Sequence, residues 1–165
     1  MGLAEQFIAE LTHEAATTRR VLERVPDDRR TWKPHAKSMS LGELAYHIAA
    51  LPRGIAGLLE NLVAEAPTVP LRDDVPVAEI LATLEESVAF ATERLRAWGD
   101  EGLAERWRMT LRGQTLLEMR RSDMVRSVML NHAYHHRGQL SVYLRLLDVP
   151  LPSIYGPTAD EKVFG

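Results

Sequence analysis

The sequence predicts an all-α fold, a four-helix bundle with a short β-hairpin between its third and fourth helices. Three observations predict it. Apolar residues recur at steps of three and four along four long segments. Proline-rich or charged joints separate those segments. The stretch between Gly99 and Ser122 breaks the helical period and alternates apolar residues instead, as a strand does.

A first helix is expected from about Ala4 to Glu23, with Phe7, Leu11, Thr18 and Leu22 on one face and Pro26 beyond its end. A second starts at Ser40. Ser40-Leu41-Gly42-Glu43 is an S-x-x-E capping box, in which hydroxyl and carboxylate each satisfy an otherwise orphan backbone N–H. Leu41, Leu44, Ile48, Leu51, Ile55, Leu58 and Leu62 continue its stripe, so the spacing carries this helix to Pro67. Pro52 has no N–H for the carbonyl of Ile48 and is expected to kink the helix beside His47.

A third helix starts near Asp74 and Pro76 and places Val77, Leu81, Leu84, Val88, Ala91, Leu95 and Trp98 on one seam. Trp107, Met109 and Leu111 then alternate, and Arg112-Gly113-Gln114 turns the chain before Leu116 and Met119. The fourth helix, from about Ser122 to Leu147, carries Val125, Met129, His132, His136, Gln139, Tyr143 and Leu146 at the same spacing before Pro150.

The 165 residues fit a single domain, 1–165. A chain of this length buries roughly 70% of the surface its unfolded form exposes, so it needs no metal merely to fold. With no cysteine, disulfides, thiolate zinc sites, iron–sulfur clusters and a cysteine nucleophile are all excluded. A metal would have to use His, Asp or Glu. A net charge of -3 gives no electrostatic case for nucleic acid. No apolar run approaches the ~18 residues that cross a bilayer. The first residues lack a basic segment followed by an apolar one, and a cytoplasmic setting is expected.

Histidines carry the chemical signal. His132 and His136 stand four apart on one helix face, where two imidazoles can chelate a single cation. His47 follows Leu44 by three and precedes Leu51 by four, so it shares the buried side of the second helix. If the two helices run in the same direction, all three histidines meet at similar heights. A three-histidine metal site and a set of hydrogen-bonded core histidines both fit this pattern. His13 falls opposite Leu11, His35 lies in a loop, and His135 turns about 100° away from His136, so none of them is chosen. Gln139 could hold an imidazole N–H or serve as a core hydrogen-bonding group, and Tyr143 reads as a core aromatic. Tyr155, Asp160 or a rim arginine such as Arg53 or Arg137 could orient substrate, but each reads first as a structural or solvated residue. No catalytic residue is assigned.

Two other metal motifs fail. Glu43 stands four rather than three residues before His47, which does not make the Glu-x-x-His unit of a di-iron bundle. His13-Glu14 is completed by Thr17 and not by a histidine, so it is no zincin motif.

His136-Arg137-Gly138-Gln139-Leu140-Ser141-Val142-Tyr143-Leu144-Arg145, followed by Pro152-Ser153-Ile154-Tyr155-Gly156-Pro157-Thr158-Ala159-Asp160-Glu161, resembles the DinB-like (DinB/YfiT) family of candidate metalloenzymes. Ser40-Leu41-Gly42-Glu43-Leu44 ahead of His47, and Trp107 ahead of Gln114-Thr115, extend the likeness over nearly the whole chain. The resemblance implies a four-helix bundle, commonly a homodimer, holding one divalent cation through histidines at positions matching His47, His132 and His136. Members with assigned activities include transferases and isomerases that use low-molecular-weight thiols. Many others are described only as damage-inducible proteins or metal-dependent hydrolases.

Three neutral imidazoles would leave an open position on the ion, as catalytic sites do. Imidazole donors suit zinc and nickel, and availability favours zinc. The expected function is a metal-dependent thiol S-transferase acting on a small-molecule substrate. The alternatives are a metal-dependent hydrolase and a non-catalytic metal-binding stress or interaction protein.

Overall fold

The structure is a computed structural model that describes residues 1–162. Four long helices dominate it. Three of them are α1 (Leu3–Leu22), α2 (Leu41–Leu58) and α3 (Val77–Ala104). The fourth is one continuous right-handed helix in three parts: α4 (Arg121–Met124), a π-helical stretch at Val125–Asn131, and α5 (His132–Leu146). A small sheet stands at one end, built from β1 (Val63–Glu65), β2 (Arg106–Leu111) and β3 (Gln114–Arg120) in that order. Strand β1 runs parallel to β2 with Ala64 opposite Met109, and β2 runs antiparallel to β3 with Trp107 opposite Met119. No helix among the described residues is long and apolar enough to cross a membrane.

Helix α1 buries Phe7, Leu11, Thr18 and Leu22, the face its spacing predicts. An Asp100 carboxylate oxygen accepts from the Ala4 N–H at 2.8 Å and so satisfies a free donor of its first turn. Asp100 reaches α1 because Gly99, at φ 56 and ψ -169, breaks α3 in a conformation that side-chain-bearing residues avoid. The buried stripe of α3 is Ile80, Leu84, Ser87, Ala91 and Leu95, so the predicted seam holds at Leu84, Ala91 and Leu95 but passes through Ile80 rather than Leu81.

Ser40 caps α2 through the full capping box, its hydroxyl accepting from Glu43 N–H at 3.1 Å and Glu43 accepting from Ser40 N–H at 2.6 Å. Pro52 sits inside the helix and is buried. The helix ends at Leu58 and does not reach Pro67, and Leu62 lies exposed outside it. The reason is a competing set of backbone partners. Arg121 Nε donates to the Leu59 carbonyl at 3.0 Å, Arg108 N–H donates to Leu62 at 2.8 Å, and Ala66 N–H donates to Thr110 at 2.7 Å. These bonds satisfy groups that further helix would have paired internally.

The strands also differ from the simple hairpin predicted. Gln114 begins β3 rather than lying in the turn, which is Arg112 and Gly113 alone, both at positive φ as a tight two-residue turn requires. The sheet gains the third strand β1, which the sequence pattern hides inside an apparent helix.

Two hydrophobic clusters fill the interior. Phe7, Leu95, Leu103, Trp107, Met124 and Leu130 fill the sheet end. Leu22, Leu41, Leu44, Ile80, Leu140 and Leu144 fill the other. Helix α2 and the fourth helix are antiparallel: Leu59 at the end of α2 meets Arg121 at the start of α4, whereas Leu44 shares its cluster with Leu140 and Leu144.

The fourth helix departs from its predicted seam. Val125 and Met129 are buried as expected, but beyond them the buried positions are Leu130, His136, Arg137, Leu140 and Leu144, while Gln139 and Leu146 are exposed. A π-helical stretch accommodates an extra residue, which rotates everything after it relative to a regular helix. The inward face therefore shifts onto Leu140 and Leu144.

Candidate metal centre

The site lies where α2 faces the start of α5. His47 stands about two turns past the Ser40 cap, so the capping box fixes its height in the bundle. It lies roughly three turns before Leu59, and His132 lies roughly three turns after Arg121. Antiparallel packing thus brings the histidines level, where the sequence argument had required helices running in the same direction.

Nε2 of His47 is 3.4 Å from Nε2 of His132, and Nε2 of His132 is 2.6 Å from Nε2 of His136. The potential ligand atoms of all three lie within 4.8 Å of one another, and among the described residues they form the group of this kind. The ring of His47 meets that of His136 edge to face, with centroids 4.7 Å apart. His136 is buried, and His47 and His132 are partly exposed, so the cluster is held by the fold yet reachable from outside.

His136 Nδ1 donates to the Gln139 side-chain oxygen at 2.7 Å. That assignment leaves a lone pair on His136 Nε2, aimed at its companions. Burial pushes His47 down to about 4, with repulsion from His136 and His132 adding to the effect. Burial also lowers His132, helped by His135. His136 is lowered mainly by burial, against an opposing contribution from Gln139 and with further lowering by His132 and His135. All three are thereby kept as neutral donors at pH 7.

This donor set suits a divalent ion. Tetrahedral coordination at about 2.1 Å separates nitrogen ligands by roughly 3.4 Å, the His47–His132 spacing found here, whereas His132 and His136 at 2.6 Å would have to move apart to share an ion. With His136 Nε2 unprotonated, His132 Nε2 can donate to it at 2.6 Å, and a shared cation would take that proton's place. The three histidines could hold a metal ion.

His13 and His35 are exposed and apart from this group. His135 is exposed, its ring 5.1 Å from that of His136, and stands at the rim. Tyr143 packs edge to face on Trp32 at 5.8 Å. Asp160 is paired with Arg145, and Arg53 lies over the Phe90 ring at 4.7 Å.

Arg137, read from the sequence as a structural or solvated rim residue, is structural and lies inside the protein rather than at the rim. It is only 1% exposed and faces α1, where Glu14 binds it at 2.6 Å, Thr18 and the Glu14 carbonyl each accept from it at 3.1 Å, and it reaches the Tyr155 hydroxyl. This buried pair ties α5 to α1 and to the segment after Pro150. Its sequence signal is slight: a charged residue one step around the helix from His136, on the side facing α1.

Comparison with known proteins agrees with this architecture. The DinB family profile matches residues 1–162. The chain is 29% identical over 163 residues to the uncharacterized protein YrdA of Bacillus subtilis (strain 168), covering 95% of this chain and 90% of that one. A DinB-like protein of Bacillus cereus ATCC 10987 shares the fold with a TM-score of 0.67 at 21% identity, covering 92% of this chain and 97% of its own. A DinB-like protein of Bacillus subtilis, YjoA, does so with a TM-score of 0.69 at 20% identity, covering 90% and 96%.

Proposed function

This chain belongs to the DinB family, and from that membership together with its histidine cluster we propose that it is a metal-dependent thiol S-transferase. The observation that carries the reading is the convergence of His47, His132 and His136 from two helices at a partly exposed position. We assign these three as the metal ligands, with zinc as the ion and nickel as its nearest substitute, because imidazole donors suit both. The reading includes one domain acting as a homodimer, as the resemblance implies.

A divalent ion held there supplies positive charge and an open coordination position, which favour the anionic form of a thiol. The rest falls to the chain itself. Burial keeps His47 neutral and ready to donate its lone pair. Gln139 fixes the orientation of the His136 ring. Met129 and Leu130, just before His132, are buried and anchor the start of its helix in the core. The thiol must be a co-substrate, since the chain has no cysteine.

The test is to supply zinc with a panel of low-molecular-weight thiols and carbon electrophiles and to follow thiol loss. Zinc-dependent consumption with at least one pair is the expected result. Ester cleavage without thiol would replace transfer with hydrolysis. A large rise in melting temperature on zinc addition, with no turnover of any substrate, would make the ion a structural brace.

A further inference from the structure

An apolar cavity opens directly beside His47. Its floor is α2 at Ala50, Leu51, Gly54 and Ile55, and its roof is the segment 67–70, Pro-Thr-Val-Pro. The enclosed part of the cavity measures about 170 Å³, smaller than the pocket of a drug-sized ligand and suited to a single small apolar group. No charged side chain lines it, and His47 and Thr68 supply its polar side-chain groups.

The roof is held at both ends. Ala66 N–H donates to the Thr110 carbonyl at 2.7 Å just before it, and beyond it the Arg72 guanidinium lies over the Tyr46 ring at 5.4 Å. The two prolines fix their own φ angles and restrict the residues that precede them. The roof is therefore a stiff strap laid across α2, with the side chain of Val69 half exposed at the mouth.

The floor contains a gap where a side chain would be. A Cβ placed on Gly54 would meet no atom within 4 Å, although glycine is a poor residue for a helix interior. Gly54 lies two turns along α2 from His47, about 10 Å at 1.5 Å per residue. A molecule reaching from the histidines to Gly54 would lie along an apolar trough of that length.

We propose that this cavity binds the uncharged, apolar group of the substrate whose reactive end lies at His47, His132 and His136, so that the enzyme selects a substrate with an aliphatic or aromatic tail of up to about 10 Å. This rests on the reading of the histidines as the reacting centre.

The experiment uses metal-free protein and a graded probe: 1-butanol, 1-hexanol and 1-octanol, followed by amide NMR. Shifts are expected at Ala50, Leu51, Gly54, Ile55, Thr68 and Val69, with affinity rising up to about fourfold per methylene. A Cβ at Gly54 meets open space and leucine improves helix propensity, so Gly54→Leu should fold, and a side chain occupying the trough should weaken 1-octanol binding at least tenfold. Val69→Asp, at a half-exposed position, should weaken binding too. Shifts scattered over other surfaces, no dependence on chain length, or undiminished binding by Gly54→Leu would overturn the proposal. Zinc titration of the same samples keeps the two claims apart. One tightly bound zinc with no alcohol response overturns the cavity alone, whereas a Gly54-dependent alcohol response with no zinc bound overturns the metal reading alone.

Discussion

His136 Nδ1 donates to Gln139 at 2.7 Å, and this bond turns His136 Nε2 toward His132 Nε2, 2.6 Å away. The two residues lie on the same helix three apart, and Gln139 is exposed while His136 is buried. An exposed amide thus orients a buried donor.

Gln139→Leu removes that bond without opening a cavity. Zinc affinity should fall by about 10–100-fold, the usual effect of losing a group that holds a metal-binding histidine. The melting temperature of the metal-free protein should change little. Isothermal titration with zinc measures the first and calorimetry the second. Unchanged affinity would show that the His136 ring needs no such support.

The metal-free protein should lose stability as the pH falls from neutrality. Burial places His47 at about 4 in the folded chain, below its ordinary 6.5, and His132 and His136 move in the same direction. Between those values the unfolded chain binds more protons than the folded one, so stability rises with pH across that window. The contribution is complete above about 6.5 and is lost as the pH falls toward 4. Urea midpoints at pH 7, 6 and 5 should decline in order, and a triple variant lacking the three imidazoles should flatten the trend. A wild-type midpoint constant from pH 7 to 5 would contradict the burial argument.

Glu14→Ala strips the buried Arg137 guanidinium of its carboxylate, leaving Thr18, a carbonyl and Tyr155 as partners. A loss of roughly 3 kcal/mol is expected, because an uncompensated charge remains inside. For a chain of this size that lowers the melting temperature by roughly 6–12 °C. The paired change Glu14→Ala with Arg137→Met should recover part of it. Full stability of the single variant would show that Tyr155 and the carbonyl suffice.

Ser40→Ala removes half of the capping box that starts α2 and should cost about 1 kcal/mol. The first turn of α2 carries the chain toward His47, so fraying there should also weaken zinc binding slightly. Denaturant midpoints and zinc titration measure both. No change in either would mean that tertiary packing alone fixes α2.

Much of this was legible in residue spacing. The Ser40 box, the α1 face and the His132–His136 pair follow from local rules that the tertiary structure leaves intact, whereas His47 joins that pair through packing. What escaped did so for physical reasons. Leu62 continues the apolar step of α2, but its carbonyl is taken by Arg108 of β2, a partner far along the chain. The π-helical stretch before His132 is invisible to a pattern that assumes a regular turn, so Gln139 and Leu146 were placed inward when the structure turns them out. The direction of α2 relative to the fourth helix depends on connections that no single helix encodes. Arg137 reads only as structural or solvated, because its partner Glu14 comes from α1 and nothing on its own helix announces it.

Metal binding requires the three imidazoles to act as one coordination site. The direct measurement is elemental analysis of protein purified without a histidine tag and dialysed against zinc, made on the wild type and on His47→Ala and His132→Ala. One zinc per wild-type chain, with most of it lost from each variant although both remain folded, is the predicted result. A wild-type chain that retains no zinc, or a His47→Ala variant that retains a full equivalent, would contradict it.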